Sequence, residues 1–290
     1  MQEFDFYAAN TLDELLRLLA QSGGRVIAGG TDVLVQAQRG VFPASVLVDA
    51  SRVRELRFIG QDGETIRIGA LTTYADILAS PLLRETAPAL VMAAATVGAP
   101  QTRARGTLGG NIANASPAGD TLPPLLTLDA TVRLVKRGGE RVLPLAEVLC
   151  GPRQTCLEPG EIIHSVAFRR PSQPTGAAFL KLGNRQGMAI AVVNVAVSLP
   201  LDDDGRIAGA RVALGAVAPT PVRSPRAEAV LYGQSLNDDV LERAAQAVLY
   251  DIAPITDVRG SADYRRKAAV RLTARALRLA AQQIREGAQA

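Results

Sequence analysis

Apolar residues near the start of the chain recur first at helical and then at strand spacing. Leu12, Leu15, Leu16 and Leu19 follow a helical period, with Thr11 as N-cap, Glu14 as its capping-box partner and Gly23-Gly24 as the stop. The short apolar run Arg25-Val26-Ile27-Ala28 then leads straight into Gly29-Gly30, and Val46-Leu47-Val48-Asp49 reads as a further buried strand. Residues 1–52 are thus expected to form a small βαβ-type unit. From 53 to 172 the pattern is of shorter elements: runs at 56–59 and 65–68 flank the turn Gln61-Asp62-Gly63, a helical stretch spans 82–96 after Pro81, and strands fall near 131–135 and 162–168. Pro171-Ser172-Gln173-Pro174-Thr175-Gly176 reads as a linker. In the unit from 177 to 290, apolar strands at 189–199 and 207–217 bracket Asp202-Asp203-Asp204-Gly205, and helices follow near 226–232, 236–250 and 261–286. Strands followed by helices, without repeating βα units, give an α+β class.

With 290 residues, 48% hydrophobic and 21% charged, the chain has room for two or three compact domains. No apolar run is long enough for a membrane span. The acidic start, Met1-Gln2-Glu3-Phe4-Asp5-Phe6, has no signal-peptide character, so a cytoplasmic location is expected. Two cysteines, Cys150 and Cys156, and a single histidine, His164, are too few for an all-cysteine iron–sulfur cluster and a poor basis for a zinc or haem site. Redox chemistry would therefore need an organic cofactor or a partner's metal. The sequence pI of about 9.4 comes almost wholly from arginine, since Lys136, Lys181 and Lys267 are the only lysines. Without tryptophan, and with those arginines dispersed, nucleic-acid binding is not expected.

Two glycine-rich segments carry the candidate chemistry. In Val26-Ile27-Ala28-Gly29-Gly30-Thr31-Asp32, two glycines at the end of a strand let the backbone approach a ligand and aim N–H groups at an anion such as a diphosphate. Taken alone, Gly29-Gly30-Thr31 reads as a tight turn. Residues 106–120, Gly-Thr-Leu-Gly-Gly-Asn-Ile-Ala-Asn-Ala-Ser-Pro-Ala-Gly-Asp, add small residues and the polar side chains of Asn111, Asn114, Ser116 and Asp120, suited to a polyol. This stretch reads as a long irregular loop, uncommon in a compact domain without a function. No G-x-G-x-x-G or G-x-x-x-x-G-K-[ST] occurs, which disfavours a Rossmann dehydrogenase or a P-loop nucleotidase. His164 lies in a strand pattern and reads as structural, and neither cysteine has a partner suggested by spacing.

Gly29-Gly30-Thr31-Asp32, the 107–120 stretch, Phe179-Leu180-Lys181-Leu182-Gly183-Asn184-Arg185 and Asp257-Val258-Arg259-Gly260-Ser261-Ala262-Asp263-Tyr264-Arg265-Arg266 together resemble the FAD-binding (medium) subunit of the molybdenum hydroxylases, the xanthine dehydrogenase family. The resemblance runs in order over nearly the whole chain. It implies a two-part FAD-binding region of the p-cresol methylhydroxylase (PCMH) type, residues 1–52 and 53–172, followed by a C-terminal α+β domain with a small antiparallel sheet and helices. Non-covalent FAD would lie between the first two parts. Ala28, Gly29, Gly30, Thr31, Asp32 and Val33 would wrap the diphosphate from one side, with Thr107, Gly109, Gly110 and Asn111 on the other, and Val26 and Ile27 would also belong to the cofactor-binding set. Ser116 and Asp120 would reach the ribityl or diphosphate region, and Ile162 or Ile163 the isoalloxazine edge. Lys181, in a strand pattern between two leucines, would place a cation by the flavin pyrimidine ring and raise its potential.

The resemblance further implies partners: a large molybdopterin subunit that oxidises the substrate and a small subunit with two [2Fe–2S] clusters, in a dimer of heterotrimers. Electrons would pass from the clusters to FAD and on to NAD, dioxygen or a quinone. The segment after the lysine motif, Gln186-Gly187-Met188-Ala189, departs from relatives with acidic or aromatic residues there, and no cysteine-rich insertion is present. Two other readings stay open at this point: a stand-alone PCMH-type oxidase or reductase, and a cofactor-free interaction or assembly protein. Arg271, Arg275, Arg278 and Arg285 share one face of the last helix and read as a solvated face.

Overall fold

The computed structural model describes residues 3–41 and 44–287; Met1 and Gln2 of the acidic start lie outside them. The N-terminal unit runs β1 (Asp5–Ala8), α1 (Leu12–Ser22), β2 (Arg25–Ile27), α2 (Val33–Gln38), β3 (Val46–Asp49). Its three strands pair in parallel in the order β1-β3-β2. Thr11 Oγ1 accepts the Glu14 N–H, whereas the Glu14 carboxylate accepts the N–H of Asn10, one residue before the cap. Gly23, at φ 61°, ends α1 by donating to the Leu19 carbonyl. Leu15 and Leu19 are buried with Val48 against the next unit's Leu71 and Ile162.

The second unit begins with a 3₁₀ turn at Arg54–Leu56, and of the run expected at 56–59 only Ile59 belongs to a strand. It continues with β4 (Ile59–Asp62), β5 (Thr65–Gly69), α3 (Tyr74–Ala79), α4 (Pro81–Thr86), α5 (Pro88–Thr96), α6 (Pro100–Arg105), α7 (Leu108–Asn114) and α8 (Leu122–Thr127). After these come β6 (Thr131–Lys136), β7 (Gly139–Pro144), α9 (Leu145–Val148), β8 (Leu149–Gly151), β9 (Gln154–Thr155) and β10 (Ile162–Arg169). Five strands form an antiparallel sheet, β4-β5-β10-β6-β7, with the helices packed on its buried face. The expected single helix over 82–96 is two helices, because Pro88 offers no N–H and forces Ala87 out of helical geometry (φ −145°, ψ 53°).

The third unit is an antiparallel sheet of β11 (Thr175–Gly183), β12 (Ala191–Pro200), β13 (Arg211–Gly215) and β14 (Val222–Arg223), covered by α10 (Pro225–Leu231), α11 (Asp238–Ala247) and α12 (Ala262–Gly287). Pro225 stands at the first position of α10, and Asn237 caps α11 by accepting from Val240. The fourth residue position named as linker, Pro174, is followed directly by β11, so the unit starts within the expected connection. A buried cluster of Ala89 and Ala93 from α5 with Ala177, Phe179 and Ala196 from β11 and β12 joins this unit to the one before it. On α12, Arg271, Arg275 and Arg278 face solvent between buried Thr273, Ala274, Ala276 and Leu277, and Arg278 pairs with Glu242 of α11 at 2.9 Å.

Close approach of α12 to β11 depends on Gly176, where an added Cβ would stand 2.0 Å from the Ala280 carbonyl oxygen. Gly176→Ala is expected to push the helix off the sheet at a cost of about 1–3 kcal/mol. The check is urea denaturation, in which the midpoint should fall at unchanged slope. An unaltered midpoint would mean that α12 can slide without loss.

Candidate cofactor cleft

The first two units meet along a cleft of about 1220 Å³, larger than the roughly 300–1000 Å³ of ordinary small-molecule sites and roomy enough for a dinucleotide. One wall is the β2–α2 connection, contributing Val26, Ala28, Gly29, Gly30, Thr31, Asp32 and Val33. The other is the start of α7, with Thr107, Gly109, Gly110 and Asn111, while Ile162 and Ile163 of β10 line the floor. Ile27 is buried under the first wall. Ser116, Asp120 and Lys181 are not among the lining residues.

The four glycines of the two segments have different duties. At Gly29 a Cβ would lie 1.8 Å from the Arg105 carbonyl oxygen, so this glycine permits backbone-to-backbone contact between the two walls. Gly30 takes a left-handed φ of 72°, turning the chain from β2 into α2. Gly109 lies against Ala70, where a Cβ would come within 2.6 Å of that residue's own Cβ. Gly110 differs from these: within 4 Å its Cβ would meet only Thr107 Oγ1, at 2.9 Å.

The second segment is a short helix followed by a turn, rather than the long irregular loop its composition suggests. Thr107 caps it by accepting from Gly110 N–H, and Leu108 and Gly109 donate to the carbonyls of Thr72 and Ala70. Leu108 and Ile112 anchor it in the core. These bonds use the first N–H groups of α7 within the protein. By contrast, the N–H groups of Gly29, Gly30, Thr31 and Asp32 donate to no protein acceptor among the described residues. The two walls are therefore unequal. The β2–α2 connection offers free donors, and α7 offers an open glycine surface beside the Asn111 amide, whose Oδ1 accepts from Thr121 at 2.6 Å.

Behind Tyr74 and Asn111 lies a buried polar cluster built from both the second and the third unit. Lys181 Nζ of β11 stands 2.5 Å from Asp120 Oδ2 and 3.2 Å from the Thr96 carbonyl, with both side chains less than a tenth exposed. Thr96 Oγ1 also donates to Asp120 Oδ2, and Asn194 Nδ2 of β12 donates to Oδ1 at 3.0 Å. Burial pushes the Asp120 carboxyl upward; the Lys181 ammonium and the Asn194 and Thr96 hydrogen bonds oppose that rise. Burial, with the Asp120 charge behind it, drives the Tyr74 phenol well above its ordinary value. Asn194 is fully buried, and nothing in its strand pattern marks it as polar machinery. Ser116 Oγ is engaged locally, accepting from Ala118 N–H at 3.3 Å.

His164 packs its ring against Phe58 at 6.2 Å and shares a hydrogen-bond contact with Ser165; burial, then Arg133, lowers its pKa. Cys150 lines the cleft, a position that spacing gives no sign of. At the mouth, Lys136 pairs with Glu158 at 2.5 Å, whereas Arg25 and Arg137 form no ion pair among the described residues. Among the described residues, no group of three or more His, Cys, Asp or Glu side chains is arranged to hold a metal, and no helix is long and apolar enough to cross a membrane.

A dinucleotide-sized cleft between a parallel unit and an antiparallel unit, backed by a third, is the arrangement implied by the resemblance to the FAD-binding subunits of the molybdenum hydroxylases. The chain belongs to that family: the profile described as "FAD binding domain in molybdopterin dehydrogenase" matches residues 2–170, and "CO dehydrogenase flavoprotein C-terminal domain" matches 178–280. It is similar to the nicotinate dehydrogenase FAD-subunit of Eubacterium barkeri, 35% identical with 87% of this chain and 86% of that one covered. The carbon monoxide dehydrogenase medium chain of Hydrogenophaga pseudoflava is 32% identical, with 96% of each covered. A solved structure of carbon monoxide dehydrogenase from the same organism superposes with a TM-score of 0.92 at 32% identity, covering 97% of this chain and 98% of that one. The α+β architecture with an antiparallel C-terminal sheet is thus that of the family.

Asp120→Ala would leave the Lys181 ammonium buried without its counter-ion, at an expected cost of about 3–5 kcal/mol. Adding Lys181→Met to that variant should recover much of the loss, because no buried charge then remains. Chemical denaturation of the single and double variants checks this, and additive losses would show that the two side chains do not act as a pair.

Proposed function

We propose that this chain is the flavin relay of a molybdenum hydroxylase complex. Electrons would reach it from [2Fe–2S] clusters on a small subunit and leave to NAD, dioxygen or a quinone, while a large molybdopterin subunit selects the organic substrate. A dimer of heterotrimers in the cytoplasm is the assembly this reading entails. The observation that carries it is the row of N–H donors at Gly29, Gly30, Thr31 and Asp32, which have no protein acceptor among the described residues and line the same cleft as Gly110. That donor set fits a diphosphate.

Bound FAD supplies the electron-accepting ring that the side chains lack. In this reading the β2–α2 connection, with Val26 and Ile27 beneath it, holds the diphosphate non-covalently, while Thr107 fixes α7 and Gly109 packs it on Ala70 so that Gly110 leaves room opposite. Asn111 presents its amide with the oxygen already satisfied by Thr121, leaving Nδ2 to donate. Ile162 and Ile163, both nearly buried, offer backbone and apolar contact along the floor. Lys181, held behind the wall by its pair with Asp120, is the cation this reading assigns to the flavin's pyrimidine ring, and Ser116 holds the turn between α7 and Asp120. The units 1–52, 53–172 and 177–290 divide this work into one wall, a second wall with the floor, and a backing.

The purified chain should carry FAD, released intact by acid. Gly110→Val should abolish its retention while circular dichroism stays that of the parent; normal flavin content would refute this placement. Lys181→Met should keep FAD but lower its midpoint potential, measured by dye-equilibrated titration, and an unchanged potential would remove Lys181 from the site. Turnover of aldehydes or purines by the chain alone, free of molybdenum, would replace the relay with a stand-alone oxidase.

A further inference from the structure

Arg153 links the two glycine segments. It sits at the tip of the β8–β9 hairpin with φ 59°, a left-handed conformation that an arginine adopts only under constraint. Its N–H donates at 3.1 Å to the carbonyl of Ala115, the residue that ends α7 and is itself left-handed at φ 44°. Its side chain enters the cleft, where the guanidinium stands 3.9 Å from the Asp32 carboxylate of the opposite wall. Backbone and side chain of this one residue therefore reach both segments.

We propose that Arg153 is a cationic latch for the diphosphate of the bound dinucleotide; the inference rests on the FAD reading above and adds a residue to it. The Gly29–Asp32 connection provides N–H donors but no positive charge, and Lys136, the lining lysine, is committed to Glu158; of the lining arginines Arg25, Arg137 and Arg153, only Arg153 reaches the carboxylate of that connection. An arginine fork matches phosphate oxygens in pairs. Its present partner is held loosely: the Asp32 contact is long, and the arginine side chain is 59% exposed. Asp32 also accepts from the Gln36 amide, so it keeps a partner when Arg153 turns to the ligand. The hairpin's unusual backbone holds the guanidinium over the mouth, where it closes on the phosphates from the solvent side.

Arg153→Gly in the full-length chain separates this role from a structural one, because glycine takes φ 59° without strain. The apo variant should melt no lower than the parent. Its dissociation constant for FAD, read from quenching of flavin fluorescence, should rise about 10-fold or more at low salt, with a weaker salt dependence. ADP, which keeps the diphosphate without the flavin, should lose affinity by a similar factor. Equal FAD affinity in parent and variant overturns the latch, as does a loss confined to FAD with ADP unaffected. Full recovery in the Asp32→Asn, Arg153→Gly double variant also overturns it, since Arg153 would then only neutralise Asp32. A parent chain that takes up no FAD defeats the functional reading instead, so the two failures are distinguishable.

Discussion

A buried ammonium and a buried carboxylate, Lys181 and Asp120, hold the third unit against the cofactor region. Each charge would be costly to bury alone, and together they remain acceptable only because Asn194, Thr96 and the Thr96 carbonyl supply the remaining hydrogen bonds. Those partners come from α5, the turn after α7, β11 and β12, so satisfying one charge fixes four segments at once. The alanine-rich contact between α5 and β11 joins the same two elements that carry Thr96 and Lys181. With that junction set, the Tyr74–Asn111 side of the cleft acquires a rigid back, and α7 cannot drift from the floor made by β10.

The cleft obeys a related economy of donors. Thr72, Ala70 and the Thr107 hydroxyl take up the first N–H groups of α7, leaving the β2–α2 connection as the wall with free donors. Similar glycine pairs thus serve unlike ends. One pair brings main chains together and turns the backbone, and the other packs α7 on Ala70 while leaving an open face.

Much of the architecture is written in local pattern. The α1 cap and stop, β3, the core of β10, the connection near residue 174 and the three final helices all follow from spacing, proline and glycine. Other features depend on partners distant in sequence. The helical state of 108–114 is hidden because Gly109 and Gly110 are poor helix formers, and the acceptors that secure it come from residues 70 and 72. The break at Pro88 is a local signal masked by continuous apolar character. Asn194 sits among valines in a buried strand and acquires meaning only when Asp120 is brought to it. Arg153 is one arginine among many until its backbone angle and its neighbours from two walls are seen together.

Contact between the Gly29 segment and the Arg105 carbonyl has a mechanical consequence. The spacing of the walls is set there by main chain touching main chain, with no side chain between them to rotate or compress. Such a joint behaves as a hard stop. The cleft can therefore narrow no further than this contact allows, and its least width is set by main-chain geometry, not by how a side chain happens to pack.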